Sequence, residues 1–145
     1  MIGLLQRVSE ASVTVGEEKV AAIGAGLLVL VAVQPQDTDA TVARLAERLF
    51  SYRVFPDDTG RMNRSVADLD YEMLLVPQFT LAADTKKGTR ASFTRAASPE
   101  TGRRYFDRLL QTCRQQSPRV QSGVFGADMK VALVNDGPVT FWLES

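Results

Sequence analysis

Residues 27–33 read LLVLVAV and form the longest apolar run in the chain. Such a run is typical of a strand whose two faces are both covered, and it is much too short to cross a bilayer as a helix. A glycine-containing turn at residues 24–26 precedes the run. We therefore predict that residues 27–33 form a central strand of a sheet.

Further strands are predicted on both sides of this run. Residues 2–15 alternate loosely between polar and apolar side chains, and the turn formers at residues 16–18 separate them from a second strand at 19–23. These two segments should form a hairpin. Shorter strands are predicted at residues 52–55, 72–79, 120–125, 129–134 and 139–143, where β-branched and aromatic residues lie between turn formers.

Two helices interrupt the strands. The residues at 37–39 read DTD and offer N-cap side chains for a helix with apolar residues at positions 42, 45, 46, 49 and 50. A second helix is predicted to begin with Ser98 as cap and Pro99 in its first turn, and to bury Cys113. Neighbouring parallel strands need a crossover connection, usually a helix, and two helices are too few to connect every strand pair in this way. We therefore predict an α+β fold in a single domain spanning residues 1–145. Its mixed, largely antiparallel β-sheet curls towards a barrel, with the two main helices on one side.

The composition excludes several kinds of function. The 17 basic and 17 acidic residues cancel, so no overall basic field marks a nucleic-acid binder and any RNA contact must use a local patch. The absence of histidine excludes Ser-His and Cys-His catalysis. The single Cys113 fits neither a metal cluster nor a disulfide framework. We expect a cytoplasmic protein with no targeting segment, membrane span, metal or cofactor.

Two segments combine strand formers with turn formers in unusual ways. Residues 77–81 read PQFTL, where an apolar strand ends in a polar step, and residues 135–140 read NDGPVT between two predicted strands. By its spacing alone, the second segment is most often an ordinary hairpin loop.

Together the two segments resemble the signature motifs SQFTL and NxGPVT of the D-aminoacyl-tRNA deacylases, in order and in separation. Similar segments cover essentially the whole chain: QRV at 6–8, ASV at 11–13, LAAD at 81–84, KG at 87–88, SF at 92–93 and VFGADM at 124–129. The chain departs from the family at Pro77, where serine is usual and a hydroxyl and a backbone donor are lost, and at Ala91, where proline is expected. A related animal family of relaxed selectivity also has proline at the first position, but Phe79 matches the strict family.

The resemblance implies hydrolysis of the ester bond between a D-amino acid and tRNA by a homodimer. Gly137 and Pro138, joined by a cis bond, would enter the partner's pocket and exclude L-amino acids, whereas glycine mischarged on tRNA-Ala would be accepted. Gln78, Phe79 and Thr80 would form the catalytic segment. Because carboxylates and lysines are the only side-chain bases available, we expect Thr80 to position the substrate rather than attack it. Backbone N–H groups near Phe79 and Thr80 would stabilise the oxyanion, and the 2′-hydroxyl of the terminal adenosine would assist the attack of water.

The resemblance also implies roles for residues outside the two motifs. Phe125 and Met129 would wall the substrate pocket, although both are equally consistent with core residues. Arg7 would hold the partner's Gly-Pro loop, although a surface salt bridge is an equally good interpretation. The aminoacylated 3′ end of tRNA would be bound by cations of the loop after residue 84 rather than by those of the second helix, which are otherwise typical of a solvated face. These tRNA-binding candidates are Lys86, Lys87 and Arg90.

Two other classes of function remain open from the sequence. One is a Thr80-dependent hydrolase of small esters without an RNA partner, and the other is a non-catalytic module that binds an aminoacyl-adenosine or an RNA end. A DNA partner is not expected. Release of amino acid from matched D- and L-aminoacyl-tRNA and from a free D-amino acid ester separates these alternatives.

Overall fold

The computed structural model describes residues 1–145. The elements follow one another as β1 (Ile2–Val15), β2 (Glu18–Ile23), β3 (Gly26–Ala32), α1 (Asp39–Ser51), β4 (Phe55–Pro56), β5 (Met62–Arg64), β6 (Glu72–Pro77), a 3₁₀ helix (Phe79–Ala82), α2 (Pro99–Gln116), β7 (Val120–Ser122) and β8 (Met129–Glu144). Strand β1 is antiparallel to β2, β3 and β8, whereas β3 pairs with β6, and β6 with β7, in parallel. The predicted mixed sheet with two helices is confirmed.

The sheet curls until its two ends meet through a side chain. Strands β2 and β7 lie at opposite ends of the strand order. The amide of Gln121 in β7 accepts a hydrogen bond from Ala22 N–H at 3.0 Å and donates one to the Ala22 carbonyl at 2.7 Å. These two bonds satisfy the N–H and carbonyl groups of Ala22, which would otherwise need a neighbouring strand. They also link the two ends of the sheet, so the barrel is nearly closed.

Strand β3 is covered on both faces, as its sequence predicts. Leu27, Val29 and Val31 belong to the main core with the buried stripes of both helices, whereas Leu28 belongs to a second cluster inside the curl of the sheet. A strand buried on both faces needs apolar side chains at nearly every position.

Both helices begin where the sequence predicts, and each buries an apolar stripe, although Leu110, which was expected in the stripe of α2, is only partly buried. Thr38 caps α1, which buries positions 42, 45, 46, 49 and 50, and Ser98 caps α2, in which Cys113 is fully buried. The two helices pack against each other over one face of the sheet. Neither helix combines the length and the apolar character needed to cross a bilayer.

The predicted break between two C-terminal strands is wrong, because β8 is one continuous strand. Asn135 pairs with Val8 and Thr140 pairs with Gln6, so residues 136–139 bulge out opposite Arg7 while the ladder with β1 resumes beyond them. The Asn135 side chain accepts a hydrogen bond from Val139 N–H at 2.8 Å and donates to the Thr140 hydroxyl at 3.0 Å. A long partner strand and this side-chain bridge keep both halves of β8 in one ladder.

Three predicted strands are shorter than expected. The strand expected at 72–79 ends at Pro77, and Phe79 begins the 3₁₀ helix. The strand expected at 52–55 is reduced to Phe55–Pro56 and pairs with β5, which the sequence did not indicate. The strand expected at 120–125 ends at Ser122, where Gly123 and the residues after it turn towards β8.

Candidate active site

A cavity of about 730 Å³ opens between the end of β6, the start of α2 and the segment that leads into β8. Twelve of its 18 lining residues are hydrophobic, and none carries a charge. Four predicted site residues line it, namely Gln78, Phe79, Phe125 and Met129. A concave, mostly apolar pocket with a few polar groups at one side is the usual form of a small-molecule site.

The segment from Gln78 to Thr80 lies at the edge of this cavity, and its first two residues line it. Gln78 N–H donates to the Val31 carbonyl at 2.7 Å, which fixes the chain where it leaves the sheet. The Gln78 side-chain amide donates to the Thr80 hydroxyl oxygen, and Thr80 itself is exposed and does not line the cavity. The hydroxyl therefore meets an amide donor, and an amide does not act as the base that a nucleophilic hydroxyl needs.

The first two N–H groups of the 3₁₀ helix lie in the same segment. Its first helical bond runs from Leu81 N–H to the Gln78 carbonyl at 3.2 Å. Phe79 and Thr80 precede that bond, so the helix offers no acceptor to their N–H groups. Such donors suit a developing oxyanion.

Two aromatic rings stand at the cavity mouth. Phe79 and Phe93 are 57% and 46% exposed, and their ring centroids lie 5.2 Å apart at an angle of 53°. Both line the cavity. Exposed rings of this size at the rim of an apolar pocket are suited to contact a flat or apolar ligand.

Phe125 forms a wall of the cavity and is held by α2. Its ring lies 6.3 Å from that of Phe106, and the guanidinium carbon of Arg103 lies 5.0 Å from its centroid. A Cβ atom at Gly102 would lie 3.2 Å from the ring, so the glycine lets the ring approach the helix. Glycine inside a helix costs about 1 kcal/mol relative to alanine, and this close packing explains its presence.

Met129 lies at the start of β8, and its sulfur accepts a hydrogen bond from Val124 N–H at 3.3 Å. Like Phe125 it is half-buried and lines the cavity, so both residues are wall residues rather than members of the closed core.

Gly137, Pro138 and Arg7 lie away from the cavity of their own chain. The Gly137–Pro138 bond is cis, as the resemblance implies, and both residues are exposed. A Cβ atom at Gly137 would lie 2.7 Å from a side-chain carbon of Val139, too close for any other residue without rearrangement. Arg7 contacts its own bulge, donating to the Asp136 carbonyl at 2.7 Å, and its contact with a partner's loop stays a prediction.

Lys86, Lys87 and Arg90 lie together on an exposed loop. Asp84 and Ser92 close the base of the loop through two backbone hydrogen bonds of 2.8 and 2.9 Å. No carboxylate lies within salt-bridge distance of the three cations, whereas Arg95 pairs with Asp84 at 3.7 Å. The loop continues into Phe93, which lines the cavity, and Arg90 lies three positions before that residue.

None of the residues that line the cavity carries an acidic, basic or thiol side chain. Burial raises the pKa of the Cys113 thiol to about 12. Hydrogen bonds from the side chains of Thr59 and Asn63 hold the pKa of the Asp57 carboxyl well below its usual range, and bonds from Ser65 lower that of Asp68. No group of three or more His, Cys, Asp or Glu side chains lies close enough together to hold a metal ion.

Sequence reasoning missed three residues around the cavity. Phe93 lies in a segment similar to the family, but no local pattern marks it or Gly102 as a cavity residue, and Arg103 is one of several cations of α2 that are typical of a solvated face. A glycine within an amphipathic helix was the available signal, because it indicates a close approach by another part of the chain.

Comparison with known proteins identifies the chain's relatives. The model of the family described as D-Tyr-tRNA(Tyr) deacylase matches residues 4–144. A D-aminoacyl-tRNA deacylase of Alkalilimnicola ehrlichii is 59% identical over 145 residues, which cover 100% of this chain and 97% of that protein. One of Thioalkalivibrio sulfidiphilus is 61% identical, with coverage of 99% and 97%.

Two solved structures share the fold of this chain. A protein described as a c-Myc DNA unwinding element binding protein is 38% identical, with a TM-score of 0.96 and coverage of 100% of this chain and 99% of that one. A probable eukaryotic D-amino acid tRNA deacylase is 18% identical, with a TM-score of 0.88 and coverage of 99% and 98%, and it shows the same fold. The chain belongs to the D-Tyr-tRNA(Tyr) deacylase family.

Proposed function

We propose that the chain hydrolyses the ester bond of D-aminoacyl-tRNA, releasing a free D-amino acid and tRNA. The observation that carries this proposal is the uncharged cavity beside the Gln78–Thr80 segment, in a chain of this family. Its apolar walls suit the terminal adenosine, and the polar segment lies where the ester would project. We further propose that residues 1–145 act as one domain, in the cytoplasm.

In the proposed reaction, water attacks the ester carbonyl and the ribose oxygen leaves with the tRNA. The N–H groups of Phe79 and Thr80 stabilise the oxyanion, and one good donor of this kind contributes about 3 kcal/mol. Gln78 and Thr80 orient the ester, and the 2′-hydroxyl of the terminal adenosine assists the water. The amide–hydroxyl contact between Gln78 and Thr80 supports a positioning role for both.

Chiral selection in this proposal comes from the second subunit of a homodimer. Gly137 and Pro138 enter the partner's cavity and fill the space that an L side chain needs, while hydrogen and D side chains are accepted. Glycine carried by tRNA-Ala is therefore a further substrate. Two observations support an approach from outside: both residues are exposed, and neither lines the cavity of its own chain.

The surface around this bulge supports the homodimer. Strand β8 pairs only with β1, and its exposed side chains include Leu133, Val134 and Trp142, the last two about half exposed. Exposed apolar side chains along an unpaired strand edge favour association with another chain. We propose that a second copy covers this face and that Arg7 supports the bulge there.

The basic loop supplies the proposed contact with RNA. Lys86, Lys87 and Arg90 are exposed and free of carboxylate partners beside the cavity mouth, which suits them to phosphate groups. One similar structure is described as a DNA unwinding element binding protein, so a DNA strand matched in length to the tRNA 3′ end is the appropriate competitor.

The test is release of amino acid from matched D-Tyr-, L-Tyr- and Gly-tRNA and from a free D-tyrosine ester. We expect rapid release from D-Tyr- and Gly-tRNA and slow release from L-Tyr-tRNA. Equal release from the free ester would indicate a small-ester hydrolase, and binding without release would indicate a non-catalytic module. Release from L-Tyr-tRNA at the rate of the D form would show that Pro77 accompanies relaxed selectivity.

A further inference from the structure

We propose that Arg103 binds the phosphodiester next to the terminal nucleoside of the RNA substrate, at the rim of the cavity. This inference rests on the proposed function and adds an anchor that the basic loop does not supply. The cavity lining contains no charge. When a nucleoside that is joined to an RNA strand enters the cavity, a cation that binds its phosphate must therefore lie at the rim.

The position of Arg103 supports this role. Its guanidinium carbon lies 5.0 Å from the centroid of Phe125, and one of its nitrogens lies 3.9 Å from where a Cβ of Gly126 would be. Phe125 and Gly126 both line the cavity. Arg103 itself is exposed, so its guanidinium covers the outer side of a cavity wall.

The guanidinium is also free to bind an anion. Six other arginines pair with carboxylates, whereas no carboxylate oxygen lies within 4.0 Å of Arg103 and its side chain makes no hydrogen bond within the chain. Stacking on a ring uses the face of the guanidinium and leaves the N–H groups in its plane available. A planar fork of donors matches two oxygens of a phosphate.

The neighbouring residues hold this geometry in place. Gly102 has no side chain, so the ring of Phe125 sits against α2 and beneath Arg103. Arg104, the next residue, instead stacks on Tyr105 at 5.3 Å, and Tyr105 does not line the cavity. Arg104 also lacks a carboxylate partner, which makes it a matched control for charge and helix position.

The experiment measures binding of a short RNA with a CCA end, of adenosine 5′-monophosphate and of adenosine to wild type, Arg103→Ala, Arg103→Lys and Arg104→Ala. For Arg103→Ala we expect about tenfold weaker binding of the RNA and of the monophosphate, and a salt dependence of RNA binding reduced by about one charge. Adenosine binding should stay unchanged, Arg103→Lys should recover part of the loss, and Arg104→Ala should match wild type. Thermal unfolding confirms that each variant is folded.

Three results would overturn the assignment of Arg103. The first is unchanged RNA binding in Arg103→Ala. The second is a loss of affinity that is equal for adenosine and so reflects only the Phe125 wall. The third is a loss of affinity for the monophosphate without a loss of affinity for RNA. Failure of the proposed function has a different signature, since wild type would then release no D-amino acid from tRNA whatever the variants bind.

Discussion

The Arg7 guanidinium joins the Asp136 carbonyl, 129 positions away in the chain, through a hydrogen bond of 2.7 Å. A second bond of 2.7 Å reaches the Val54 carbonyl between α1 and β4. One side chain therefore fixes the bulge at residues 136–139 against the body of the protein. It also donates a hydrogen bond to the partly buried Val54 carbonyl, which lies outside the strands.

Replacing Arg7 with alanine should loosen the bulge. Because charged hydrogen bonds contribute about 1.5–3 kcal/mol each, we expect the free energy of unfolding to fall by about 2 kcal/mol or more. Discrimination between D- and L-Tyr-tRNA should also fall. Arg44→Ala removes only an exposed pair with Glu47 and should change stability by less than about 1 kcal/mol. Urea unfolding compares the two variants, and equal small effects would show that Arg7 does not hold the bulge.

Thr80→Ala should retain substantial deacylation, because the hydroxyl is proposed to position the substrate. Loss of one positioning group costs up to about a hundredfold in rate, whereas loss of a nucleophile costs about a millionfold. Single-turnover release from D-Tyr-tRNA measures the difference. Near-complete inactivation, together with an acyl group trapped on wild-type Thr80, would restore the nucleophile interpretation.

A substrate that lacks the 2′-hydroxyl of the terminal adenosine should be cleaved much more slowly than the natural one. The proposed mechanism places the assisting hydroxyl on the RNA, since the cavity lining supplies no charged acid or base. The loss should exceed that caused by Thr80→Ala when both are measured in single turnover. If the deoxy substrate is cleaved at the normal rate, the RNA does not assist.

Local patterns in the sequence were sufficient for the elements whose signals are local. The apolar run of β3 and the caps Thr38 and Ser98 all lie where the patterns predict. Strand β8 was misjudged because its continuity depends on pairing with β1, more than 110 positions away along the chain. A local Asn-Asp-Gly-Pro signal favours a break, but a partner strand of 14 residues outweighs it.

The candidate site was predictable where a motif identified it and not where folding assembled it. The cavity lining includes Phe79 and Phe125, which family resemblance indicated. Arg103 was indistinguishable in sequence from the other cations of α2, because only the approach of Phe125 to Gly102 brings it to the cavity. Whether a helix cation is solvated or stacked on a wall depends on a neighbour distant in sequence.

Asp37 should be important for stability. It is 6% exposed and accepts hydrogen bonds from the Met1 ammonium at 2.5 Å, Gln34 N–H at 2.7 Å and the Thr41 hydroxyl at 3.0 Å. Asp37→Ala leaves a buried cation without its partner, so we expect a loss of about 3–5 kcal/mol in the free energy of unfolding. Asp39→Ala, which breaks an exposed pair with Arg108, should cost less than about 1 kcal/mol. Similar midpoints for the two variants in urea would contradict this.

The pH dependence of deacylation near neutrality should follow the substrate's own amine. The chain has no histidine, and burial holds the pKa of Cys113 at about 12, so neither kind of group titrates there. A free α-amine has a pKa of about 8, which esterification lowers, and it is protonated below that pKa. Its charge affects both binding and the reactivity of the ester.

The inflection in kcat/KM should therefore move when the amine is methylated or acylated, and should stay in place in Asp84→Asn and Asp136→Asn. Asp84 and Asp136 are suitable controls because both lie outside the cavity lining, one at the base of the basic loop and the other in the bulge. A shifted carboxylate or lysine would give a similar profile with the natural substrate, so the altered amine is the deciding comparison. If the inflection stays at the same pH when the amine is altered, but disappears when one side chain is replaced, the protein itself supplies a general acid or base.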